Sequence, residues 1–292
     1  MLCSILDRVN DEGRQMLDFK EMVKRWLRWD ALSVGGLRGW ARLLLKRYSH
    51  WNWSWRIDMA LRYAPVVRAI VATGIAHPLI CDVGSGSKGG ITPYLRGEAV
   101  GVDLCFDVEA VKARPLMHPI CGSATELPLA DETFDIVVCM DTLEHLAEEQ
   151  RSVVLEELFR IVRDGGWVMV GAPCGEEIRR CEERVNALYR RKTGGDHHML
   201  LEHLQNKPLF PEELENCIKS TASGRFGQYK LRAVSNVNLG LWYRLRILLY
   251  LERPIPFLSQ FQRFVFQPIF PLLACRNEEP CYRRIFFVHG QR

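Results

Sequence analysis

Hydrophobic and polar positions divide the chain into three stretches with different periods. Over residues 1–76 the apolar positions recur with helical spacing. Phe19, Met22, Val23, Trp26 and Leu27 fall on one stripe, and after Gly35-Gly36 the spacing returns in Leu37, Trp40, Ala41, Leu44, Leu45 and Tyr48. A third helix is predicted from about Ile57 to Thr73, bent or restarted at Pro65 and ended by Gly74. Over 77–173, short continuous apolar runs alternate with helical patterns. Leu79–Val83, Ala99–Asp103, Phe134–Met140 and Trp167–Ala172 read as buried parallel strands. Met117–Cys121 is a weaker fifth because Pro119 interrupts it. Helices are predicted between them near Ile91–Arg96, Val108–Lys112 and Glu144–Val162. This alternation predicts an α/β fold, a doubly wound and mostly parallel sheet with helices on both faces.

From residue 174 onward the pattern is mixed. A helix is predicted to start at Pro211, and Tyr229–Val237 and Tyr282–Val288 read as strands. Between those strands lies an apolar, aromatic insertion at about 238–281. The expected organisation is a helical N-terminal extension over 1–76 and an α/β domain over 77–292, the extension and the insertion together forming a cap.

Composition changes this picture little. With 48% hydrophobic and 25% charged residues in 292, usage is that of an ordinary globular chain and argues against disorder. A net charge of +4 is too small to mark a nucleic-acid binder by itself. The ten cysteines form no CxxC pair, so they are read as reduced thiols in a cytoplasmic protein. The N-terminus lacks the pattern of a secretory signal. The uncharged run Phe264–Cys275 is shorter than the ~20 residues a spanning helix needs.

The strongest chemical feature is ICDVGSGSKGG, Ile80 to Gly90. An apolar strand runs into Gly84, Gly86 and Gly89, where the chain must turn sharply and let a ligand approach the backbone. Free N–H groups of that turn are expected to face the ligand. Asp82 precedes the first glycine, and the next strand ends at Asp103, where a carboxylate can accept hydrogen bonds from both hydroxyls of a ribose. A solvated loop carboxylate or a helix cap is the plainer account of Asp103.

GVDL, CGSATELPLADETFDIVVCMDTLEHL and the helix ending in IVRDGGWVMVGAP resemble the class I S-adenosylmethionine-dependent methyltransferases, and within them the small-molecule group called type 11. The similarity covers about residues 60–175. It implies a Rossmann-like seven-stranded sheet with its last strand antiparallel, S-adenosylmethionine as cofactor and S-adenosylhomocysteine as product. The cofactor contacts implied are Asp82, Gly84, Ser85, Gly86 and Asp103, with Leu104 flanking the adenine and Met140 alongside. Ser123 stands where the family often has an acid for the adenine amine; its hydroxyl or the backbone of Ala124 would substitute.

The segment Met140–His145 falls where the family places residues beside the methyl group. His145 titrates near neutrality and is a candidate base for a hydroxyl acceptor, with Glu144 and Asp141 as alternatives. The plainer account packs His145 at a helix start with Glu144 stabilising its positive end. His197, His198 and His203 lie in a loop leading to a PEEL helix, which in this family borders the substrate pocket. They invite a metal reading, but no complementary ligand set accompanies them and no metal site is expected.

Both flanks are basic and aromatic. Lys24–Arg56 holds eight basic residues against Asp30 alone, with six tryptophans. A helical lid, an anionic membrane surface and single-stranded RNA each suit this composition. The apolar stretch 255–275 favours lipid over RNA. The expected activity is methyl transfer to a hydroxyl or carboxyl of a small-molecule, glycan or lipid-linked acceptor, in the cytoplasm or peripherally at the membrane. A non-catalytic cofactor-binding scaffold and an RNA methyltransferase are the alternatives. The oligomeric state is left open.

Overall fold

A computed structural model of the chain describes residues 56–86, 90–95, 97–107, 116–251 and 266–292. The helices expected before residue 56 and at Val108–Lys112, Gly89 of the glycine pattern and the middle of the insertion lie outside the described residues.

The first described helix, α1 (Ile57–Ala72), runs through Pro65 as one element. A proline there removes the N–H that would bond the carbonyl four residues earlier. That carbonyl, of Leu61, accepts instead from Asn236 Nδ2 at 3.2 Å, so the loss is made good from another element. Thr73 and Gly74 (φ +70°) end the helix.

Seven strands follow: β1 (Ile80–Val83), β2 (Ala99–Asp103), β3 (Met117–Cys121), β4 (Phe134–Met140), β5 (Val162–Pro173), β6 (Gln228–Asn238) and β7 (Cys281–Gln291). Their order across the sheet is β3-β2-β1-β4-β5-β7-β6. The first five are parallel, and β7 runs antiparallel between β5 and β6. Pro119 sits in β3, an edge strand, where a missing donor costs least.

The expected strands are all present, three with the expected bounds, β1 one residue shorter, and β5, β6 and β7 longer. β5 begins at Val162, directly after α2 (Glu148–Ile161). The helix expected from Glu144 starts later, because Leu143–His145 form a single 3₁₀ turn. The expected helix at Ile91–Arg96 is a turn over its described residues, with the Tyr94 and Leu95 N–H groups both donating to the Ile91 carbonyl.

Alternation along the central strands divides the core. Val137 and Cys139 of β4, Val168 and Val170 of β5, and Phe286 and Val288 of β7 face Leu155, Leu158 and Phe159 of α2. Leu214 and Ile218 of α5 (Pro211–Arg225) join that side. Ile136 and Val138, Met169, and Ile285 and Phe287 pack with Tyr63, Val66 and Ile70 of α1 on the other face. Each such side chain removed from water contributes about 1.5–3 kcal/mol.

A third apolar cluster crosses the carboxyl end of the sheet. It joins Ile57 and Leu61 of α1 with Ile178 and Val185 of α3 (Glu176–Thr193) and Leu200 of α4 (His198–Gln205). Trp242 and Leu245 of α6 (Leu239–Arg246), in the insertion, complete it with Tyr282. Trp242 stacks on Tyr282 with ring centroids 4.1 Å apart. Because Arg283 at the start of β7 pairs with Pro173 at the end of β5, the insertion emerges at that same end.

Candidate active site

The tip of β1 turns at Gly84 and Gly86, both left-handed at φ +71° and +75°. Gly84 is held against Thr142: a Cβ at Gly84 would lie 2.0 Å from the threonine Oγ1. The expectation of free N–H groups in this turn is corrected for its described residues. Gly84 and Ser85 both donate to the Val102 carbonyl of β2, at 2.8 and 3.2 Å. Gly86 donates to Asp103 Oδ2 at 2.8 Å. Adjacent strand tips lie within hydrogen-bonding reach, and the turn spends its amides there.

What stays open is the other side of the turn. A Cβ at Gly86 would meet no atom within 4 Å, and Leu104 is 76% exposed. Asp103 accepts from the Gly86 and Leu104 N–H groups, one on each oxygen, and each oxygen keeps a second acceptor position. Ser85 Oγ is buried in the turn with no hydrogen-bond partner. An uncovered glycine, a half-buried acid with open acceptor positions and an exposed apolar side chain at adjoining strand tips fit the ribose and base of S-adenosylmethionine.

Other expected contacts are placed differently. Asp82 is 1% exposed, and its Oδ2 accepts from the Tyr63 hydroxyl at 3.3 Å and the Ile91 N–H at 2.8 Å. It therefore braces the segment after the turn. A Cβ at Gly90 would lie 2.0 Å from that oxygen, so Gly90 is the glycine this brace requires. Burial pushes the Asp82 carboxyl up to about 7. Met140 is fully buried against Gly171 in the sheet core, so its side chain cannot line an open site. Ser123 Oγ is engaged with Thr125 at 2.7 Å, and Ala124 is partly buried beside it.

At the tip of β4, Asp141 (φ +52°) is gripped by two arginines. Arg283 donates through Nε to Oδ1 at 2.5 Å and through Nη2 to Oδ2 at 2.6 Å, while Arg62 Nη2 lies 2.9 Å from Oδ2. Burial opposes ionisation, but Arg283 and then Arg62 outweigh it and hold the carboxyl at about 2. Asp141 is thus an anchor for arginines and a poor proton acceptor, a correction to its candidacy as base. Arg283 Nη1 donates to Asn236 Oδ1 at 3.1 Å, linking the anchor to the Leu61 carbonyl.

Next to it, three of the expected residues meet. Glu144 is 6% exposed and neither carboxylate oxygen reaches a hydrogen-bond partner. Burial, then the charge of Asp141, pushes it up to about 8. His145 Nε2 faces His203 Nε2 at 3.2 Å, and His203 Nε2 is 3.9 Å from Glu144 Oε1. The outer nitrogens are held by carboxylates: His145 Nδ1 by Glu202 at 2.9 Å and His203 Nδ1 by Glu182 at 3.0 Å. Glu182 also accepts from the Tyr282 hydroxyl at 2.7 Å. Burial and then His203 lower the His145 pKa; for His203, burial lowers it but Glu182 and Glu144 raise it on balance.

His197 and His198 do not join this group. The His197 N–H donates to Asn186 Oδ1, and exposed His198 reaches the cluster only through Glu202 at 3.2 Å. Tyr63, Arg62, Glu182 and Arg283 were not legible as site residues. They come from α1, α3 and β7, Arg283 standing 142 positions from its partner Asp141.

Residues 81–170 match a family described as a methyltransferase domain. A human protein named probable tRNA methyltransferase 9B is 26% identical over 133 residues, 45% of this chain and 29% of that protein. A demethylmenaquinone methyltransferase of Streptomyces griseus is 30% identical over 109 residues, 35% of this chain and 46% of the relative. The chain thus spans about half or less of the length of these relatives. A solved SAM-dependent methyltransferase of Thermotoga maritima is 15% identical, the superposition covering 88% of this chain and 96% of that one at a TM-score of 0.45. The matched segment contains β1, the glycine turn, Asp103 and the β4 tip, and over it this chain is similar to the class I S-adenosylmethionine-dependent methyltransferases.

Proposed function

We propose that the protein transfers a methyl group from S-adenosylmethionine to an oxygen, hydroxyl or carboxyl, of a small-molecule, glycan or lipid-linked acceptor. The observation that carries this reading is that the open turn at Gly86 and Asp103 and the His145 cluster share the carboxyl end of the sheet. The bound cofactor supplies an electrophilic methyl group on a sulfonium. Asp103 would take the ribose hydroxyls and Leu104 would lie along the base. The chain's task is then to align the acceptor for in-line displacement and to assist loss of its proton. A histidine whose pKa is lowered is neutral near pH 7 and suits that assistance. The name of the Streptomyces relative supports a small organic acceptor.

Calorimetric titration of S-adenosylhomocysteine tests the cofactor half. Micromolar binding to the wild type, weakened at least tenfold in Asp103→Ala, is expected; no binding by folded wild type would overturn the reading. For the acceptor half, S-adenosylhomocysteine should accumulate with lipid or glycan extracts. Loss of that turnover on ribonuclease treatment would assign the acceptor to RNA instead. Among the described residues no helix is long and apolar enough to cross a membrane. Peripheral attachment rests on the composition of 24–56, and failure to sediment with anionic liposomes at low salt would discard it.

A further inference from the structure

The two facing histidines pose a problem of lone pairs. Glu202 and Glu182 each accept from an Nδ1, which fixes both rings with the proton on Nδ1 and leaves a bare lone pair on each Nε2. Those lone pairs point at each other across 3.2 Å. Either a proton or a cation must lie between them. A proton would serve the two rings and leave Glu144 alone, with both oxygens buried and unpartnered. A cation serves all three, since one ligand atom from each of Glu144, His145 and His203 lies within 4.8 Å of the others.

The separation fits as well. Two nitrogens each about 2.1 Å from a metal, at angles between octahedral and tetrahedral, stand about 3.0–3.4 Å apart. The carboxylate behind each imidazole is the arrangement that orients and strengthens a histidine ligand. Charge agrees: Arg62 and Arg283 are paired with Asp141, while Glu144, Glu182 and Glu202 face the histidines. With Glu144 ionised by a bound cation, the group carries an excess of two negative charges that a divalent ion offsets. The nearby cations are engaged elsewhere. Arg179 donates to the Leu204 and Asn206 carbonyls, and Lys207 to Glu148.

We propose that Glu144, His145 and His203 form a three-ligand site for a divalent transition cation of the manganese-to-zinc group, open on the remaining positions. Two imidazoles and one carboxylate suit those ions better than Mg²⁺ or Ca²⁺, which prefer oxygen ligands. The site stands independently of the methyl-transfer reading; only its use in that reaction rests on it. There the ion would bind the acceptor oxygen and favour its ionised form, the histidines then acting through the ion and not by taking the proton themselves.

The test uses the full chain, stripped with chelator and titrated with Mn²⁺ by calorimetry and electron paramagnetic resonance, a probe that thiols bind poorly. One ion per chain at micromolar affinity is expected, with at least tenfold weaker binding in His203→Ala and in Glu144→Gln. Glu202→Gln, a half-exposed position with little bearing on folding, should weaken binding about tenfold through His145. No binding by folded wild type, affinity unchanged in all three variants, or Mg²⁺ bound as tightly as Mn²⁺ would each overturn the site. S-adenosylhomocysteine titrated into the same samples separates the two readings. Cofactor binding without Mn²⁺ binding removes only the ion site, and the converse removes only the methyl-transfer reading.

Discussion

Asp82 sits beneath the glycine turn with one oxygen accepting two hydrogen bonds and the other none, and burial raises its pKa to about 7. Unfolded, the same group titrates near 4. Between those values the folded state binds more protons than the unfolded state, so this group's contribution to stability declines as pH rises from about 4 to 7. Urea denaturation across that range should show the decline in wild type and a flatter profile in Asp82→Asn. Asp141 has the opposite sign. Its carboxyl is held at about 2, so its contribution is present above about pH 4 and disappears as pH falls through 2. Asp141→Asn strips the anion from two buried arginines and should cost about 3–5 kcal/mol at neutral pH, read as a lower urea midpoint. The sequence singled out both aspartates but assigned Asp82 to the cofactor and Asp141 to proton transfer. Neither the Tyr63 bond nor the arginine pair leaves a mark in local spacing, because each partner arrives from a distant element.

At the scale of elements, α1 and the central strands are held by different kinds of contact. Leu158→Ala in α2 opens a cavity in a face shared by β4, β5 and β7 and should cost about 2–5 kcal/mol. Asn236→Ala removes the donor to the Leu61 carbonyl and the acceptor for Arg283, and about 1–3 kcal/mol is expected from the groups left buried and unpaired. Thermal unfolding of the two variants distinguishes a lost methyl cluster from a lost polar bridge only when Pro65→Ala is added. With its own N–H restored, α1 should suffer less from Asn236→Ala. Strands were readable because continuous apolar runs between turn signals mark segments buried on both faces. The persistence of α1 through Pro65 was not, since Asn236, the residue that satisfies the freed carbonyl, lies 175 positions away.

For the whole molecule, the carboxyl end of the sheet is where the glycine turn, the histidine pair and the insertion come together. Gly86→Val would place a β-branched side chain at φ +75° in open space over the turn. We expect a retained fold by circular dichroism and S-adenosylhomocysteine affinity reduced more than tenfold. Alternation of apolar strands and helices, the glycine pattern and the acid at the end of β2 are all local in the chain. Local periodicity therefore sufficed for the α/β class, the succession of strands and the position of the glycine turn, while the seven-stranded sheet with its antiparallel strand was implied only by the family resemblance. Partnerships across the fold are of another kind. The turn amides going to Val102, Asp141 going to Arg62 and Arg283, and His145 facing His203 depend on distances between elements that no spacing along the chain encodes. Burial then set the protonation of Asp82 and Glu144, because removing a charge from water is a property of the packed surroundings and not of the residue.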